Sequence, residues 1–153
     1  MAKAQKSGAL LPRNKVKSAD TWNLASLFKS DKEWEAAFGV WSGRVEEYGR
    51  FRGHLSESAR VVAELMVFDR EFNRAGERLG VYASLKVTED QSNSEYLRMR
   101  GRFEHTATKA GEASAFIRPE LMKISPARME AFLADDALRE WKLALERVLR
   151  YRP

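Results

Sequence analysis

The spacing of the large apolar residues constrains this chain more than any other feature. Trp34, Phe38, Trp41, Val45 and Tyr48 recur at steps of four and three. Val61, Leu65, Phe68, Phe72, Ala75, Leu79 and Tyr82 do the same. Such steps place side chains on one face of an α-helix and do not fit the two-residue period of a strand. A stripe this long and this regular needs a partner helix crossing at a shallow angle. No segment alternates like a strand, and the connections are short, so neighbouring helices should be antiparallel. The expectation is an all-α chain, an antiparallel bundle of about four to five helices.

Local signals set the expected boundaries. Ser30 and Glu33 form a capping box that starts a first helix, ending near residue 52 beside Gly49 and Gly53. A second, longest helix is expected from about Ser56 to Val87, with Gly76 and Gly80 inside it for a bend or a close neighbour. Ser92 and Glu95 read as a second capping box, opening a helix whose inner face is Tyr96, Phe103, Ala107, Ala110, Ser114 and Ile117. Pro119 should end it at Arg118. Ser125-Pro126 is a cap followed by proline at the first helical position. Asp135 or Asp136 should cap the last helix, on which Leu138, Trp141, Leu145 and Val148 step by three and four. The helices differ in length and motif, which argues against a solenoid of repeats.

Charge narrows the function. The net charge is +5, but Lys3, Lys6, Arg13, Lys15 and Lys17 all precede the first acid, Asp20. The other 22 basic residues face 22 acidic ones, so the body from residue 20 onward is neutral. Residues 1–19 read as a disordered basic tail and 20–153 as one helical unit. A neutral body has no field for a polyanion, so no nucleic-acid partner is expected. No apolar run reaches the ~20 residues of a membrane span, and the basic start lacks the apolar core of a secretory signal. There is no cysteine, which suits a reducing compartment.

Candidate chemical groups are few. The two histidines, His54 and His105, lack metal-site spacing, and Phe103-Glu104-His105-Thr106 has no second histidine one turn on. No catalytic, cofactor-binding or metal residue is assigned. Arg70, Arg74 and Arg78 share a ridge, read as a solvated stripe with Glu71 and Glu77 in reach rather than a carboxylate grip. Asp69 reads as a surface aspartate, with an arginine partner at a seam as the alternative. Trp34 and Trp41 are in register with the core, so Trp22, Trp34, Trp41 and Trp141 are not read as a base-stacking platform.

Four stretches and the chain end carry a family resemblance. Asp20–Trp34 (DTWNLASLFKSDKEW), Tyr48–Ala59 (YGRFRGHLSESA), Val81–Asp90 (VYASLKVTED), Phe116–Ile124 (FIRPELMKI) and Leu145–Pro153 (LERVLRYRP) resemble, in order and spacing, the N-terminal region of oligoendopeptidase F. That is a family of thimet-oligopeptidase-like zinc metallopeptidases. The resemblance implies a cytoplasmic, mostly helical enzyme that hydrolyses short peptides in a channel between two lobes. Its zinc would sit on an H-E-x-x-H helix plus a downstream glutamate, and none of those positions occurs here. Zinc is thus expected in a full-length parent and not in this chain.

On that reading the chain is the non-catalytic N-terminal lobe, walling the channel. Its partners would be the catalytic C-terminal lobe of the same protein and, for the parent, short peptide substrates. Leu138, Trp141, Leu145 and Val148 are the expected lobe interface, and self-association of the isolated chain through them would follow. The alternative is a free-standing helical interaction module descended from a truncated peptidase.

Overall fold

The computed structural model describes residues 15–150. Its α-helices are α1 (Asp31–Gly43), α2 (Ala59–Glu89), α3 (Ser94–Ser114), α4 (Ile117–Lys123), α5 (Pro126–Leu133) and α6 (Lys142–Leu149). Short 3-10 turns occur at Ser18–Asp20, Leu24–Ser26, Val45–Phe51 and Asp136–Leu138. Among the described residues there is no strand. The chain is all-α, as the periodicity requires. Most of the expected basic tail lies outside the described residues, and Ser18–Asp20 at its end form one 3-10 turn.

The register of α1 against α2 follows from two tryptophans. Trp34 Nε1–H donates to the Leu79 carbonyl at 2.9 Å, and Trp41 Nε1–H donates to the Phe72 carbonyl at 3.0 Å. A seven-residue step forward on α1 thus matches a seven-residue step back on α2, so the two helices are antiparallel. Between the bonds, Trp34 stacks on Phe38 at 5.0 Å and Trp41 on Phe72 at 5.1 Å. α3 packs along α2 with a tight contact at Gly80, where a Cβ would lie 2.6 Å from the Phe103 ring. One core runs from Phe28 through Trp34, Phe72 and Leu121 to Leu145.

Several expected boundaries move, each for a local reason. Ser30 caps α1 by accepting from Glu33 N–H at 3.2 Å, but the Glu33 carboxylate takes the N–H of Lys29, one residue earlier than a capping box requires. α1 stops at Gly43, and Val45, Tyr48 and Phe51 continue the buried face on a 3-10 stretch. Three-residue spacing is the 3-10 period, which eclipses these three side chains on one side. α2 starts at Ala59, with Ser58 as its cap. Its inner face includes Val62 and Gly76, while Ala75 is exposed.

Asn93, not Ser92, caps α3, accepting from the N–H groups of Glu95 and Tyr96. Ser92 is engaged by Asp90, whose carboxylate accepts from its hydroxyl at 2.6 Å and its N–H at 3.0 Å. α3 ends at Ser114, and Pro119 lies inside the first turn of α4. There its missing N–H is one of the donors a helix start leaves free in any case. Ser125 caps α5 ahead of Pro126 as expected. Asp135 caps the turn Asp136–Leu138 rather than α6, which begins only at Lys142.

Candidate functional site

A groove of about 830 Å³ lies between residues 44–57 and the first half of α2. It forms because the 3-10 stretch turns Phe51 inward and leaves Arg44 and Arg50 on the outer edge. Glu47 holds both guanidiniums, at 3.3 Å from Arg44 and 3.6 Å from Arg50. Both also lie over the Phe68 ring, 5.0 and 5.1 Å from its centre. Along the opposite wall run Arg60, Glu64, Val67 and Glu71 of α2. His54 closes one end, with Nδ1 2.6 Å from Glu57 Oε1. The floor is apolar and the rim carries both signs of charge.

The other singled-out residues are architectural. Arg70 pairs with Glu140 and lies 4.7 Å over Trp141, fastening the C-terminal segment to α2. Arg78 donates to the Leu27 carbonyl and lies 4.7 Å over Phe28, fastening the entry segment to the same helix. Arg74, between them, is exposed. The expected solvated stripe is thus two clamps flanking one exposed arginine, with Glu140 and the Leu27 carbonyl, not Glu71 or Glu77, holding the outer two. Asp69 accepts a 2.6 Å hydrogen bond from the Tyr48 hydroxyl, so its partner at the seam is a tyrosine and not an arginine. Burial, then that bond and the nearby carboxylate charge, push the Tyr48 phenol far above its ordinary pKa. His105 is exposed on α3.

Of the four residues expected at a lobe interface, Leu138 and Leu145 are 0% and 1% exposed. They belong to this chain's own core, because the turn at Asp136–Leu138 packs on α2. Trp141 and Val148 are half-buried, and Leu143 is the exposed large apolar residue of α6. A second, smaller groove of about 440 Å³ lies beside Asp31, Glu35, Tyr96 and Arg102.

Four of the stretches singled out in the sequence dock on one another in pairs. Residues 20–34 meet residues 81–90: the Tyr82 hydroxyl donates to Asp31 at 2.7 Å, and Phe28 meets Tyr82 edge-on at 5.3 Å. Lys86 Nζ lies 3.2 Å from Asp31 Oδ1 and 4.2 Å from the centre of the Tyr96 ring. Burial alone would lower the Lys86 pKa, but the bonds to Tyr96 and Asp31 outweigh it and raise it. Residues 48–59 meet 116–121 in the same way. Both oxygens of Glu120 accept from Gly53 N–H, at 2.8 and 3.0 Å, and Arg52 lies 4.9 Å over Phe116. The Gly53 backbone sits at φ +85, a conformation that favours glycine.

The stretches were visible in the sequence, but their pairing was not, since single-residue polar contacts between distant turns leave no periodic trace. Among the described residues, no three His, Cys, Asp or Glu side chains converge on a metal site. The donors among the described residues therefore do not form the three-ligand set that a catalytic zinc needs.

No protein-family model matches the chain. Oligopeptidase PepF of Bacillus subtilis (strain 168) is 29% identical over 155 residues, covering all of this chain and 23% of that protein. The plasmid oligoendopeptidase F of Lactococcus lactis subsp. cremoris is 34% identical over 116 residues, covering 74% of this chain and 19% of that protein. The group B oligopeptidase PepB of Streptococcus agalactiae is 24% identical over 142 residues and is matched over 24% of its length. In fold, the chain resembles the crystal structure of a candidate peptidase from Chlamydophila abortus, with a TM-score of 0.83 and 20% identity over 91% of this chain and 24% of that one. The chain spans about a quarter of the length of the relatives it matches. It is an oligoendopeptidase F relative, corresponding to that quarter.

Proposed function

We propose that this chain is the N-terminal, non-catalytic lobe of an oligoendopeptidase F-like zinc metalloendopeptidase. The observation that carries the reading is the match of the whole chain to only 23% of PepF. The remainder of the parent would supply the H-E-x-x-H helix, the zinc and the hydrolysis of short peptides. This lobe would wall the channel and limit access by size. A zinc-bound water of lowered pKa is the chemistry the missing part would bring. Among the described residues no helix is long and apolar enough to cross a membrane, and the proposed location of the parent is the cytoplasm.

The contact with the catalytic lobe is proposed for the outer side of α6, at Trp141, Leu143 and Val148. A second reading, a free-standing helical interaction module, draws support from the burial of Leu138 and Leu145 in a core the chain closes by itself. The native product, detected with an antibody to this chain, separates the two. A species far above 17.5 kDa with chelator-sensitive hydrolysis of short peptides supports the lobe. A native species of 17.5 kDa with no larger product rejects it in favour of the module.

A further inference from the structure

We propose that the entry segment, residues 20–28, is a strap that opens from α2 while the helices stay folded, with Arg78 as its latch. Phe28 is the single buried residue between positions 15 and 30, and Trp22 is 64% exposed. Leu24 and Leu27 are only partly buried against the core. The backbone N–H groups of Thr21, Ser26, Leu27 and Phe28 donate to nearby carbonyls of the same stretch, those of Ser18, Asn23 and Leu24. The segment thus loses the conformational freedom of every residue in it and gains full apolar burial at one ring. A stretch with few buried contacts and local bonds opens at a lower free energy than the body it rests on.

One side chain of α2 grips the strap twice. Arg78 donates to the Leu27 carbonyl and lies 4.7 Å over the Phe28 ring, so it holds the main chain of one residue and the side chain of the next. Losing it loosens both. Opening stops where the chain is pinned. Glu33 holds the Lys29 N–H at 2.7 Å, and Ser30 caps α1 with its own hydroxyl oxygen. Asp31 accepts from the Tyr82 hydroxyl at 2.7 Å and lies 3.2 Å from Lys86 Nζ, on a side chain only 13% exposed. Further on, Trp34 makes its bond to the Leu79 carbonyl. None of these ties passes through the strap, so α1 keeps them, and the swing falls at Phe28–Lys29. Closed, this end of α2 is covered by Leu27 and Phe28. Open, it presents Arg78 and the Tyr82 ring.

This device does not depend on the peptidase reading, since strap, latch and pin all belong to this chain. Amide hydrogen exchange of the full chain, followed by NMR at rising urea below the unfolding transition, is the test. The Leu27 and Phe28 amides should be protected yet exchange at least about tenfold faster than the α2 amides. Their rates should depend little on urea, because a small opening exposes little surface. Arg78→Met should speed their exchange roughly tenfold. Val62→Ala, at a 0% exposed position in the first half of α2, should speed the α2 amides and leave the strap amides unchanged, because the open form keeps Val62 packed. Circular dichroism of each variant confirms that the helices remain. Strap amides that track the α2 amides through urea and through Val62→Ala would place the segment in the global unfolding unit and overturn the proposal. So would strap amides without protection in the unaltered chain, or exchange indifferent to Arg78→Met.

Discussion

The indole of Trp41 occupies the place where a side chain on Gly76 would be. A Cβ at Gly76 would lie 2.9 Å from Trp41 Cζ2, and the ring cannot retreat because Phe72 and Phe103 stack beside it at 5.1 and 5.4 Å. Glycine in mid-helix, at a cost of about 1 kcal/mol relative to alanine, is here the condition for α1 to approach α2.

Gly76→Ala should therefore destabilise the chain by about 1–3 kcal/mol, as overpacked cores do. Gly39→Ala and Gly101→Ala, where a Cβ meets nothing within 4 Å, should stabilise it by about 0.5–1 kcal/mol. Urea unfolding of the three variants checks the contrast. Stabilisation by Gly76→Ala would mean that the helices do not approach so closely.

Removing the Tyr48 hydroxyl strips the half-buried Asp69 of a 2.6 Å bond. Tyr48→Phe should cost about 1.5–3 kcal/mol, the range for hydrogen bonds to charged groups. The cost should largely vanish in a background that already carries Asp69→Ala, which has no acceptor for the hydroxyl. A double-mutant cycle measured by thermal unfolding tests this coupling.

Alkaline pH should unfold the chain through its tyrosines. Burial first, and then the bonds to Asp69 and Asp31, keep Tyr48 and Tyr82 neutral well above the ordinary phenol range. The unfolded chain releases these protons near pH ~10. The folded state then holds more protons, so the stabilisation is complete below about pH 10 and is lost as pH rises further. The urea midpoint should fall between about pH 9 and about pH 11, and fall less steeply in Tyr48→Phe/Tyr82→Phe. Parallel slopes for the two proteins would reject the assignment.

Glu120 and Gly53 form a lock that should open locally. Glu120→Ala leaves the exposed Gly53 N–H to water, at a cost of about 0.5–1.5 kcal/mol. Gly53→Ala adds strain at φ +85, worth roughly 1–2 kcal/mol. Hydrogen exchange by NMR should show the amides of residues 52–57 losing protection in both variants before the α2 amides do. Uniform loss across the chain would place the lock inside the global unfolding unit instead.

The helical class and the α1 and α2 stripes were legible because one buried face per helix imprints a period on the sequence. Ends were less legible. Asn93 displaced Ser92 as a cap because Asp90 had already taken the serine, a competition between neighbours that no spacing rule records. The 3-10 stretch could have been read from Val45, Tyr48 and Phe51, whose spacing shifts to threes. The groove was not legible at all. Arg44 and Arg50 meet α2 across a turn, and their joint hold on Glu47 and Phe68 depends on how that turn folds back.

The paired indole bonds of α1 also act as a two-point gauge. Trp34 and Trp41 must find the carbonyls of Leu79 and Phe72 together. If α1 slid along α2 by one turn, both donors would leave these carbonyls at once, and the Trp41 ring would leave Gly76 for Phe72 in one direction or for Gly80, already covered by Phe103, in the other. The hairpin therefore has a single good alignment, and α3, which rests on Gly80, inherits its position from that choice.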